Sequence, residues 1–159
     1  MDINSEEYKQ EVLIKDVVML AARILLESGA EGTRVEDTMT RIAKKLGYSE
    51  SNSFVTNTVI QFTLHSESFP RIFRITSRDT NLIKISQANK ISRQITNNEI
   101  SLAEAKTQLE KIYVAKRDSS LPFKGFAAAM IAMSFLYLQG GRLIDVLTAI
   151  LAGSLGYLV

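Results

Sequence analysis

Apolar residues recur every three or four positions in the first third of the chain. They shift to a strand-like rhythm in the middle, return to the helical interval, and end in a nearly unbroken apolar run. From about Ser5 or Glu11 to Ser28, the series Leu13, Val17, Leu20 and Ile24 marks one helical stripe, widened by Val18, Ala21 and Leu25. Gly29 stands just past this helix, where a left-handed residue commonly caps. Val35, Met39, Ile42, Ala43 and Leu46 form the stripe of a second helix, ended by Gly47. Thr33 followed by Glu36 matches a capping box, which puts Glu36 and Asp37 in the first turn. The short connection Gly29 to Gly32 predicts that the two helices pack antiparallel.

The run SFVTNTVIQFTLH, Ser53 to His65, is rich in β-branched and aromatic residues and reads as one or two strands, with Thr56 and Thr58 on one side. SESFP is a turn, and Arg71 to Thr76 is a further strand of a small antiparallel meander. Helix resumes after Asp79 or Thr80, with Leu82, Ile85, Ala88, Ile91 and Ile95 on its stripe. Ser101 and Glu104 form a second capping box, opening a helix to about Lys116 with Leu102, Ala105, Leu109, Ile112 and Tyr113 inward.

From Gly125 to Val159 the only charges are Arg142 and Asp145. Leu121 to Gly141 would rise about 31 Å as a helix, close to a bilayer's hydrocarbon thickness. Gly140-Gly141 then separates it from a second apolar run rich in small residues. The expected fold class is therefore α+β: a soluble helical domain with a small antiparallel β-meander, in the order ααβββαα, followed by a transmembrane helical hairpin. The expected domains are 1–120, cytoplasmic, and 121–159, two transmembrane helices of a protein cut short. Lys111, Lys116, Arg117 and Lys124 flank the first apolar run, so the positive-inside rule puts the first 120 residues in the cytoplasm.

Composition narrows the chemistry. Nineteen basic and 17 acidic residues give a net charge of +2, too balanced for a nucleic-acid binder. With no cysteine and one histidine, His65, there is no thiolate zinc site and no two-histidine metal site; no metal or cofactor is expected. His65 is the one conventional general base, but no G-x-S-x-G elbow accompanies it, nor any phosphate loop or dinucleotide fingerprint. The densest polar segment is ESGAEGTRVEDT, Glu27 to Thr38, where Arg34 could bind a carboxylate through its planar fork or simply join a solvated capping cluster. In the apolar region, Asp145 is either a transport-related acid or an interfacial partner of Arg142.

The stretch LAARILLESGAEGTRVEDTMTRIAKKLG, Leu20 to Gly47, resembles the start of the threonine/serine exporter family, with Gly29, Ala30, Glu31, Arg34, Val35, Glu36, Asp37 and Thr38 as its core. The resemblance extends over most of the chain, through the Asn81-Leu82 helix start and FKGFAAAMIAM…GGRLID. Where relatives tend to show Thr-Pro-Thr-Gly-Ile, this chain has Thr56-Asn57-Thr58-Val59-Ile60, without the proline and glycine.

The resemblance implies a multi-pass cell-membrane protein with a cytoplasmic amino-terminal domain and about five spans. A second set of spans, fused or on a partner subunit, would complete it as a homo- or hetero-oligomer. It also implies export of threonine, serine or a dicarboxylate such as succinate, and carries a suggestion of a hydrolase-like soluble domain. The expected function is thus a subunit or fragment of an exporter of small polar metabolites, in contact with membrane lipid and without nucleic acid. The alternatives are a membrane-tethered hydrolase using His65, and a membrane-anchored ligand-binding or assembly domain.

Overall fold

In the computed structural model, the structure describes residues 6–115 and 121–141, together with 145, 146, 148–150, 152 and 156. The elements are α1 (Glu6–Glu27), α2 (Gly32–Lys45), β1 (Asn52–Val55), β2 (Val59–Thr63), β3 (Arg71–Arg74), α3 (Leu82–Thr96), α4 (Leu102–Val114) and α5 (Leu121–Leu138). The chain divides into two units, Met1–Ala115 and Lys116–Val159.

In the first unit α1 is the central element, packed against α2, α3, α4 and β2. Its burial is accordingly broader than one stripe. Ile14, Val17, Val18, Ala21, Ala22, Ile24, Leu25 and Leu26 are all buried, whereas Leu13 and Leu20 are only half-buried. Each large apolar side chain so enclosed contributes roughly 1.5–3 kcal/mol. Surrounding elements supply Val35, Met39 and Ile42 from α2, Ala88, Ile91 and Ile95 from α3, and Ala105 and Leu109 from α4. Ser101 caps α4 in the reciprocal arrangement with Glu104, while Asn81 caps α3 by accepting the Lys84 amide at 3.1 Å.

The three strands form one antiparallel sheet in the order β1-β2-β3. Ile60 and Phe62 of β2 face α1 and are fully buried. On the opposite face Gln61 lies between Phe54 and Ile72 in register. Thr56 and Thr58 are not on a strand. They lie in the turn between β1 and β2, where Thr56 Oγ1 accepts the Val59 amide at 3.1 Å and the Thr58 amide at 3.4 Å. A threonine hydroxyl that can bond the backbone two or three residues ahead favours a turn over a strand.

The second unit corrects the expected transmembrane hairpin. No helix among the described residues is long and apolar enough to cross a membrane. The helix α5 ends at Leu138, where the Gly141 amide turns back onto the Leu136 carbonyl at 3.0 Å. Pro122 and Lys124 occupy its first turn, so the charge-free part, Gly125–Leu138, rises about 21 Å. That falls short of the ~30 Å hydrocarbon layer. Arg142 and most of the second apolar run lie outside the described residues.

Candidate functional site

The corner between α1 and α2 positions the polar segment. Gly29 takes φ +93°, and a Cβ there would stand 3.0 Å from the Asp79 carbonyl oxygen. The Ala30 amide bonds Leu25 O at 2.9 Å and the Gly29 amide bonds Leu26 O at 3.1 Å, the paired closure that ends many helices. The connection from β3 to α3 then locks this corner. Asp79 N donates to Glu27 O at 2.8 Å and Asn81 N to Ser28 O at 2.9 Å. Arg78 donates from Nε to Leu26 O and from Nη2 to Ala30 O, both at 3.2 Å, and from Nη1 to Asn57 Oδ1 at 2.6 Å.

The capping box expected of Thr33 and Glu36 does not form. The helix α2 starts at Gly32 with Glu31 as its N-cap residue, and no side chain caps it. Glu36 falls beyond the first turn, and its Oε1 accepts the Val55 amide at 2.7 Å. The end of β1 passes close over this turn: a Cβ on Gly32 would lie 3.3 Å from Val55 O. A part-buried amide at a strand end needs an acceptor, and Glu36 supplies it. Thr38, buried, donates its hydroxyl to Arg34 O at 2.9 Å.

Gly29, Ala30, Val35, Glu36 and Thr38 therefore build the corner. Glu31, Arg34 and Asp37 point elsewhere. At successive three-residue steps they share one side of α2, and they line a cleft of about 430 Å³ with Gly29, Ala30, Thr38 and Arg41. Leu25 of α1 and Leu82, Ile85 and Asn89 of α3 complete its wall. Among the described residues, Glu31, Arg34 and Asp37 make no side-chain hydrogen bond or ion pair. Arg41 donates one Nη2 bond to Ser92 Oγ at 3.1 Å. Arg41, Leu82 and Asn89 were not singled out as site residues from sequence. Arg41 could have been, since it sits four residues after Asp37 on the same face.

His65 belongs to a separate cluster. Its Nε2 meets Glu11 Oε1 at 2.9 Å, and Glu11 Oε2 faces Lys15 Nζ at 3.6 Å. The Glu11 and Lys15 side chains are 6% and 9% exposed. Tyr48 stacks on the His65 ring with centroids 6.3 Å apart. Burial, then the charges of Glu11 and Glu7, push the Tyr48 hydroxyl above its ordinary pKa. Among the described residues no serine or threonine hydroxyl bonds the His65 ring, so this pair lacks the adjacent nucleophile that a hydrolytic site requires. No group of three or more metal-ligating side chains gathers among the described residues. Thr56 and Thr58 serve the hairpin turn, and Asp145, in the second unit, accepts the Thr148 hydroxyl through its backbone carbonyl at 2.7 Å.

The first unit thus bears an open cleft of charged side chains, well apart in sequence from the His65 cluster. A family model described as "Putative threonine/serine exporter" (ThrE) matches residues 16–159. The chain belongs to this threonine/serine exporter family, a family of membrane transporters. No curated protein and no solved structure matches it.

Proposed function

We propose that the chain is a subunit or part of an exporter of small polar metabolites, with threonine and serine the first candidates and a dicarboxylate such as succinate the next. The family match over residues 16–159 is the observation that carries this reading. In it, the unit Met1–Ala115 faces the cytoplasm as a gating or assembly domain. Further spans or a partner subunit complete the solute path, because α5 by itself cannot enclose one. Asp145 remains a candidate polar residue of the transport part, and its replacement by asparagine is expected to reduce flux at normal expression.

Export of isotopically labelled threonine, serine and succinate from cells with and without the gene tests the reading. Faster efflux of at least one of the three in the gene-bearing cells is the expected result. Equal efflux of all three overturns it.

A further inference from the structure

The helices α3 and α4 pack side by side and expose different material at their two ends. At the turn that joins them, Asn97, Asn98 and Glu99 are exposed, and Ile100 is half-buried against the core. At the other end, Lys84 Nζ donates to Tyr113 O at 2.7 Å, which sets the first turn of α3 beside the last turn of α4. There Leu82, Ile83 and Val114 are 70%, 55% and 74% exposed. The Tyr113 ring does not fold over them, because it is held by Arg23, whose guanidinium carbon lies 4.5 Å from the ring centre. Single exposed apolar side chains are ordinary on a protein surface, and a group of them at one end is a different matter. Among the described residues of the first unit, the other large exposed apolar side chains are Phe54 and Ile72, set apart by Gln61 in the sheet, and Phe69 between β2 and β3.

We propose that this end of the α3–α4 pair rests in the headgroup layer of a bilayer, with Leu82, Ile83 and Val114 against the upper acyl chains. Three observations choose lipid as the occupant. The chain belongs to a family of membrane transporters, so a bilayer is at hand. Val114 is the last residue of α4, and the next helix, α5, exposes Phe123, Phe126, Ile131 and Phe135; a helix apolar on all sides calls for apolar surroundings. From Glu110 to Lys124 the basic residues Lys111, Lys116, Arg117 and Lys124 outnumber the acidic Glu110 and Asp118. Such an excess beside an apolar surface is drawn to anionic headgroups, and the long stems of lysine and arginine lie along lipid while their charges stay at the phosphates. Contact at this depth needs only the interface, so it does not call for a helix that crosses. Leu82 also borders the cleft beside α2, so one rim of that cleft lies at the lipid surface.

The chain has no cysteine, so single substitutions can carry a label without interference. Ile83→Cys, Val114→Cys and, at the polar end of the pair, Asn97→Cys are made in the full chain and labelled with an environment-sensitive fluorophore. All three positions are exposed, and an unchanged far-ultraviolet circular dichroism spectrum checks that each variant keeps its fold. Each is reconstituted with vesicles of three parts phosphatidylcholine to one part phosphatidylglycerol, with and without a lipid bearing a nitroxide quencher high on its acyl chain. Emission at Ile83→Cys and Val114→Cys is expected to shift to shorter wavelength, and the nitroxide lipid should quench both roughly threefold more than Asn97→Cys, because an interfacial surface sits at the headgroup–acyl boundary. Quenching at Ile83→Cys and Val114→Cys no greater than at Asn97→Cys overturns the proposal. So does a blue shift there without quenching, which would mean that protein, from a second copy or a partner, covers this end. Neither readout involves efflux, so lipid contact at this surface and export stand or fall separately.

Discussion

The buried Glu11–Lys15 pair, met by half-buried His65, and the cleft beside α2 use their charges in opposite ways. Glu11 is enclosed, and its two oxygens face His65 and Lys15, so its charge is balanced within the protein. Glu31, Arg34 and Asp37 are exposed at a cleft and balanced by nothing in the first unit. A charge removed from water must be paired or it costs several kcal/mol; a charge left at a cleft costs the fold little and stays available to a ligand. The first arrangement belongs to stability; the second leaves its charged groups open to solvent or to a ligand.

Breaking the enclosed set should have the largest effect. Glu11→Ala leaves Lys15 buried without its partner and is expected to destabilise the first unit by about 3–5 kcal/mol, seen as a lower midpoint in urea unfolding. An effect under about 1 kcal/mol would show that the buried charges are not coupled. Next comes the corner that holds the cleft. Gly29→Ala forces a Cβ at φ +93° to within 3.0 Å of Asp79 O and should cost about 1–3 kcal/mol by the same measurement.

Smaller again is Asp16, which joins α1 to β3 through Arg71 and to α4 through Lys106 at 2.8 Å. Burial raises its carboxyl, but hydrogen bonds and charge from Lys106 and Arg71 outweigh this, so its pKa lies below the ordinary 3.8. The ionised carboxylate's contribution is therefore complete above the unfolded value and is lost as pH falls through the lower folded value. These pairs are partly exposed, so Asp16→Asn should cost only about 1 kcal/mol near neutrality. The variant should also show a shallower loss of thermal stability below about pH 4 than the parent, since the removed group titrates there; parallel curves would contradict the assignment. Smallest of all is Arg34→Gln, expected to leave unfolding within about 0.5 kcal/mol of the parent. A large loss of stability there would show that Arg34 is part of what holds the fold.

Local signals in the sequence marked what local chemistry decides. The apolar periods located α1 and α2, Gly29 and Gly47 marked helix ends, and Ser101 with Glu104 formed the capping box their spacing suggested. Tertiary competition decided the rest. Glu36 had the right spacing to cap α2 but is taken by an amide 19 residues away. His65 is partnered by a carboxylate 54 residues earlier, a distance at which no spacing rule operates. Thr56 and Thr58 look like strand residues by composition, yet the hydroxyl of Thr56 favours the turn. In the candidate site, Glu31, Arg34 and Asp37 stood out as a dense polar segment, but only the folded chain shows that they remain unpaired and that α3 supplies the opposite wall. The apolar run was read at its full length from Leu121 to Gly141; the helix stops at Leu138, with a proline and a lysine in its first turn.

Arg78 gives the corner a clock. The carbonyl groups of Leu26 and Ala30 receive its guanidinium from 52 and 48 residues further along the chain. At a synthesis rate of about 5–20 residues per second, the corner waits several seconds after it is made for the residue that completes it. Throughout that interval α1 and α2 can already exist as helices, but the cleft lacks both its lock and the α3 side of its wall. A nascent chain that stops before residue 78 therefore carries the segment Glu27–Thr38 without the cleft which that segment helps to line.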